Sequence, residues 1–309
     1  MKINVINKHP IAHADPYIIE ENNEFYIFTS AQAEQKGVHC YKSKELLGNY
    51  EYLGLAFSLE GHKEYWAPSV IKIDNEFYMY VSIMKEDEED VHLQTMMVAK
   101  SNKIEGPYKL VNKLIEPFSI DSHPVINKMG QYLFYSVNDY DADKAGTRIV
   151  IDKMLSPTSM KGEPKVVVYP SIEQEIFMKD RFKKGQDWYT IEGACYFYED
   201  GYHYLLYSAN CYQNEYYFVG YCVAKTDEQD LTKVEFKKYP DDNTYKPLLS
   251  MNESEGGTGH NTVIKHKGQW YIVYHGRELE GNEVPYDNRT MRIAKLNVNK
   301  GVLTVERSK

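Results

Sequence analysis

The sequence is poor in the features that mark disulfide scaffolds, flexible chains and membrane proteins. Its four cysteines (Cys40, Cys195, Cys211 and Cys222) show neither CxxC spacing nor disulfide density, which excludes a bridged framework or a zinc ribbon. Three of them sit among aromatic residues, where a free thiol packs as a small hydrophobe. Only 19 Gly and 12 Pro occur in 309 residues, too few for a collagenous, low-complexity or disordered chain. No block of Lys and Arg is present and the formal charge is -9, so a cationic face for nucleic acid or an anionic membrane is lacking. The longest apolar runs, such as Val166 to Tyr169, are far too short to cross a bilayer. The N-terminal MKINVINKHP lacks the apolar core of a signal peptide, and the expected location is cytoplasmic. Dinucleotide and phosphate-loop motifs are absent, as is a nucleophile elbow.

Tyrosine, by contrast, is abundant, with 28 residues, and it marks an internal repeat. Five segments match: EFYIFTS (24–30), EFYMYVS (76–82), GQYLFYS (130–136), YHYLLYS (202–208) and QWYIVYH (269–275). Each places a tyrosine in one column, at Tyr26, Tyr78, Tyr132, Tyr204 and Tyr271. The alternation and aromatic content predict strands, and each segment follows a turn signal such as Asn22-Asn23 or Asp200-Gly201 and, before that, another short apolar strand. Each unit therefore begins with a hairpin. The columns lie about 52, 54, 72 and 67 residues apart, room for a four-stranded sheet with loops. The expected fold is all-β: a five-bladed β-propeller in a single domain, residues 1–309. A helix-friendly stretch, Ser171 to Lys184, is expected as a surface excursion in the longest gap, and Trp270, beside a column tyrosine, as blade packing.

About eleven residues before each column tyrosine, and twelve in the fourth unit, whose turn is expected to be one residue longer, stand Asp15, Ala67, Asp121, Glu192 and His260. In a propeller the first strand of each blade lines the central channel, so these positions converge at one end. Carboxylates brought together in a poorly solvated channel repel and raise one another's pKa, a cost that folding alone avoids. Three carboxylates without a nucleophile suit hydrolysis of a glycosidic bond. One must be protonated to assist the leaving oxygen, another ionised to activate water or attack, and the remaining one can tune the acid. Trp66, next to Ala67 at the second converging position, and Trp188, four residues before Glu192, are candidates to stack on a sugar. The acidic run Glu86 to Asp90 reads as a solvated loop tip that could reach the rim.

At these residues the sequence resembles glycoside hydrolase family 43, the five-bladed propeller glycosidases, over essentially its whole length. The matching segments, in order, are Ala14-Asp15-Pro16, Trp66-Ala67-Pro68, Ile120-Asp121, Ile191-Glu192-Gly193 and Gly259-His260-Asn261. The resemblance implies an inverting single displacement with Asp15 as general base, Glu192 as general acid and Asp121 as the residue that tunes and positions the acid. Such a mechanism needs base and acid about 6.5–9.5 Å apart. His260 matches an axial histidine that in many members lies beside a hydrated metal ion, commonly calcium. A structural calcium in the central channel with a mostly aqueous shell is therefore expected, and no cofactor for the chemistry. Asn288-Arg289-Thr290-Met291-Arg292-Ile293 resembles the last-blade segment whose arginine reaches the sugar, with Arg289 the choice over Arg292.

Trp66, Ala67, Trp188, His260 and Arg289 complete the expected substrate site. The implied activity is exo-acting release of a terminal pentose from short oligosaccharides, α-L-arabinofuranosidase first and β-xylosidase second. Pocket depth would depend on loops such as Asn210 to Tyr217 and Glu278 to Tyr286. A non-catalytic glycan-binding propeller is the alternative from another class. A phosphorylase ranks low, because only His9 and His13 lie near the base.

Overall fold

The computed structural model describes residues 1–6, 13–30, 36–279 and 289–307; His9 and the 280–288 stretch of the last loop lie outside the described residues. Five hairpins open five sheets in chain order. Their first strands are Tyr17–Glu21, His62–Ile73, Ile120–Asn127, Ile191–Glu199 and Glu255–His266, each paired antiparallel with the strand carrying the column tyrosine. All five hairpin turns contain two residues, closed by Glu21↔Glu24, Ile73↔Glu76, Asn127↔Gly130, Glu199↔Tyr202 and His266↔Gln269. Left-handed backbone at Asn22 and Asn23, Asp200 and Gly201, and Lys267 and Gly268 matches the twist of such turns.

The equal turns correct one expectation. The fourth turn is not longer than the others, so the strict eleven-residue step back from Tyr204 arrives at Gly193, and Glu192 stands one residue earlier. Ser171 to Lys184 is also not a helix. A short 3₁₀ turn at Glu173–Glu175 leads into the strand Ile176–Lys183, which turns through Lys184-Gly185 and pairs with Gln186–Tyr189 on the third sheet. Pairing with that neighbour outweighs helix propensity.

The sheets form a ring. The first strands touch in cyclic order, that of the first sheet meeting those of the second and the fifth. One apolar cluster fills each junction: Phe28 with Val70 and Met79 between sheets one and two, Tyr80 with Tyr135 and Val150 between two and three, and Phe134 with Ile191 and Leu205 between three and four. Leu206 with Ile272 and Tyr274 joins four to five, and Phe25 and Ile27 with Val273 and Met291 join one to five. Consecutive residues Phe25, Tyr26, Ile27 and Phe28 thus serve opposite faces of one sheet, so the strand is apolar on both. Five sheets around an axis form an all-β propeller, consistent with five blades.

The N-terminus fastens the ring. Ile3 N–H donates to Met291 O and Ile293 N–H to Met1 O on the fifth sheet, while Val5–Ile6 runs parallel to Tyr50–Glu51 on the first. Ile3 and Val5 are buried in the cluster shared by these two sheets. Ile3→Ala should lower the free energy of unfolding by about 2–4 kcal/mol, measured by denaturant titration, through the transfer and cavity terms of a lost core side chain.

Candidate active site

At one matching place in each sheet, within the first strand or, in sheet one, two residues before it, the backbone is left-handed: Asp15 (φ 51°), Ala67 (φ 43°), Asp121 (φ 59°), Gly193 (φ 66°) and His260 (φ 43°). In sheets two to five this residue lies in a register break of the first pair of strands, a bulge that turns side chains out of the sheet. Asp and His enter this conformation more readily than most residues, and Gly does so freely. At Gly193 a Cβ would stand 3.3 Å from Ser208 Oγ and 3.5 Å from the His260 ring, so glycine here leaves room for the histidine.

The last residue of the repeat segment holds these turns across the junctions. Ser30 Oγ accepts from Ala67 N–H at 2.7 Å, Ser208 Oγ from His260 N–H at 2.7 Å, and His275 Nδ1 from Asp15 N–H at 3.1 Å. The end of one sheet thereby fixes the site residue of the next. Two junctions differ: between sheets two and three Ser82 Oγ donates to Ser119 O at 2.9 Å, and between sheets three and four Gly193 N–H donates to Asp121 Oδ2 at 3.0 Å while Ser136 Oγ has no partner among the described residues. A catalytic-type carboxylate takes the place of the serine there.

These arrangements bring the predicted carboxylates together. Asp15 accepts from Ser30 Oγ through Oδ2, and its Oδ1 lies 3.4 Å from His260 Nδ1 and 3.5 Å from Arg289 Nη1. His260 Nδ1 is 3.9 Å from Asp121 Oδ2 and so stands between the two carboxylates. Burial alone would push Asp15 up, but His260 and Arg289 outweigh it and hold the carboxyl well below the usual range. Of these partners Arg289 keeps its charge at any working pH. Because His275 Nδ1 accepts a backbone N–H, the proton of its neutral ring belongs on Nε2; burial drives its pKa down to about 4.

Asp121 and Glu192 move the other way. Burial, then the charge of Glu192 and that of Asp15, raise Asp121 well above its ordinary value. Burial likewise raises Glu192, to about 7, against the hydrogen bond that Tyr217 Oη donates to its Oε1 at 2.7 Å. The two carboxyls form a coupled pair that retains a proton near neutrality. One ionised and one proton-holding carboxyl site thus line the same cavity, the combination required for general acid–base work.

Asp15, Asp121, Glu192, His260 and Arg289 line one cavity of about 580 Å³ together with Trp66 and Trp188. Ala67 does not: it is buried, and its contribution is the backbone N–H given to Ser30. Arg292 is excluded from the site by its ion pairs with Glu255 and Glu278, both within 3.0 Å. Trp270 packs on Phe197 with ring centres 4.6 Å apart, as expected for a blade residue. Among the described residues no three His, Cys, Asp or Glu side chains are arranged to hold an ion, so the expected calcium with its mostly aqueous shell would have His260 as its protein neighbour. His260 Nδ1 faces two carboxylates.

Three contributors escaped sequence reasoning. Ser30 and His275 end the repeat segments, so their column was visible but its role was not. Tyr217 belongs to no repeat; it comes from the Asn210 to Tyr217 loop, stacks on His275 with ring centres 5.8 Å apart, and lies so close to Gly259 that a Cβ there would enter its ring.

A propeller whose cavity holds a carboxyl pair sharing a proton together with an ionised carboxylate has the make-up of a glycoside hydrolase. The comparisons agree: the model for glycosyl hydrolases family 43 matches residues 7–303, and the chain belongs to that family. It is 21% identical to α-L-arabinofuranosidase 43 of Humicola insolens over 95% of this chain and 61% of that enzyme. It is 23% identical to an extracellular exo-α-(1→5)-L-arabinofuranosidase of Streptomyces avermitilis over 93% and 60%. The chain thus spans about three-fifths of the length of these relatives. The crystal structure of a thermostable family-43 glycoside hydrolase superposes with a TM-score of 0.79 at 26% identity, covering 97% of this chain and 96% of that one.

Removing the tyrosine hydroxyl in Tyr217→Phe withdraws a donor that favours ionised Glu192. The Glu192 pKa should rise above about 7, read by carboxyl-carbon NMR titration, and an unchanged or lower value would contradict the geometry.

Proposed function

We propose that this chain is an inverting exo-glycoside hydrolase that releases a terminal pentose, α-L-arabinofuranose first, from short oligosaccharides. The observation that carries the reading is the opposed pair of environments in one cavity: Asp15 held ionised beside Arg289, and the Asp121–Glu192 pair held with a proton. Family membership implies a carbohydrate substrate. The arabinofuranoside preference draws on the printed activities of the Humicola and Streptomyces enzymes. A cytoplasmic location finds no support among these relatives, the Streptomyces enzyme being extracellular.

In the proposed reaction Asp15 accepts a proton from a water as that water's oxygen bonds to the anomeric carbon. Glu192 gives its proton to the glycosidic oxygen as the bond to the leaving sugar breaks. The electron pair of that bond stays on the leaving oxygen, and the sugar is released with inverted configuration. Burial and the charge of Asp15 keep a proton on the pair, and Asp121 as its ionised member holds that proton on Glu192; its bond to Gly193 N–H fixes the backbone beside the acid. Arg289 anchors Asp15 and, with its guanidinium 4.9 Å over the Tyr212 ring, presents donors to the sugar in the cavity.

Wild type should cleave nitrophenyl α-L-arabinofuranoside faster than the β-xyloside. Asp15→Ala and Glu192→Ala should each lose at least about 100-fold in kcat/KM. A variant that still binds pentose while neither glycoside is turned over by the wild type would favour a glycan-binding protein instead. The pH profile should be bell-shaped, rising as Asp15 ionises and falling as Glu192 loses its proton near about 7. Asp121→Asn should move the falling limb to lower pH, because the neighbouring charge that raises Glu192 is gone; an unmoved limb contradicts the tuning role.

A further inference from the structure

The segment expected as a surface excursion builds one wall of the cavity. Phe177, Arg181 and Trp188 of the 176–189 hairpin line it, as does His92 from the second sheet. The Arg181 guanidinium lies 4.8 Å from the ring centres of Phe177 and Phe182 and 5.3 Å from that of Trp188. Three aromatic faces hold its plane and leave its edge as the donor surface. One edge is accounted for, with Nη2 3.4 Å from His92 Nε2, and His92 Nδ1 in turn 2.6 Å from Asp90 Oδ1 at the end of the acidic run. Asp90 thereby fixes the imidazole so that Nε2 faces the arginine as an acceptor. No described carboxylate is in ion-pair contact with Arg181, although burial costs the half-buried guanidinium part of its hydration. A positive group with five donors and one weak partner, turned toward a cavity, is costly unless a ligand supplies acceptors.

The position gives the ligand. Arg181 is packed on Trp188, and the strand carrying Trp188 runs through Thr190 into Glu192. Asp15 and its partners His260, His275 and Arg289 come from the first and fifth sheets, on the other side of that carboxyl. We propose that Arg181 is a specificity-determining residue that donates to the hydroxyl and ring oxygens of the leaving sugar, the one whose oxygen Glu192 protonates. This rests on the hydrolase reading given above. The Asp90–His92–Arg181 chain joins the rim of the second sheet to the third-sheet hairpin and sets the fork at the height of that sugar.

The test compares a pentose disaccharide with a phenyl pentoside, whose leaving group offers no acceptor oxygen beyond the glycosidic one. In Arg181→Met, which keeps an unbranched apolar stem, the ratio of kcat/KM for disaccharide over phenyl pentoside should fall about tenfold or more, chiefly through KM. Arg181→Lys keeps the charge without the fork and should fall between the two; it carries the same test if the methionine variant does not fold. Equal losses on both substrates would assign Arg181 to holding the hairpin in place and overturn the proposal, as would an unchanged ratio. Failure of the wild type on both substrates would instead refute the hydrolase reading itself.

Discussion

The site depends on one backbone constraint, the left-handed residue near the start of each inner strand, held at Asp15, Ala67, Gly193 and His260 by a cross-junction hydrogen bond. A side chain in a regular strand would point into a blade interface, where apolar residues fill the space. In sheets two to five the bulge frees one position from that packing and aims it at the axis. The conformation costs energy at a non-glycine residue, and the donors satisfied by Ser30, Ser208 and His275 offset it. Ala67 shows the scaffold without the chemistry: the turn and its clasp are present, and the side chain contributes nothing to the cavity.

The same construction separates the carboxylates electrically. Burial would raise all three, so their difference comes from what each faces. Asp15 meets a permanent cation and two imidazoles, whereas Asp121 and Glu192 meet each other. Glycine at the fourth turn contributes twice, giving its N–H to Asp121 and leaving space for the histidine that bridges Asp121 and Asp15. Acid and base behaviour therefore arise from neighbours rather than from residue type.

Much of this was legible in the repeat. Period-two alternation, two-residue turns and the tyrosine column specify hairpins locally, and their recurrence specifies the ring, so Asp15, Asp121 and His260 followed from counting. Glu192 was found for a partly mistaken reason: its register is one residue off the column, because Gly193 occupies the left-handed place. The 171–184 stretch was misread since its strand character comes from pairing with Gln186–Tyr189, which helix propensity does not reveal. Tyr217 was invisible because a loop residue has no period, and its contact with Glu192 depends on the absence of a side chain at Gly259, far along the chain.

The N-terminal strand has a consequence for biosynthesis. Asp15 is made ahead of the first sheet, yet the groups that set its charge state, His260, His275 and Arg289, belong to the fifth sheet that it meets at the seam. A ribosome that has released only four sheets holds a polypeptide whose base is still unset, and contacts of such sequence separation form late. Turnover of substrate would thus report that the fifth sheet has closed onto the first.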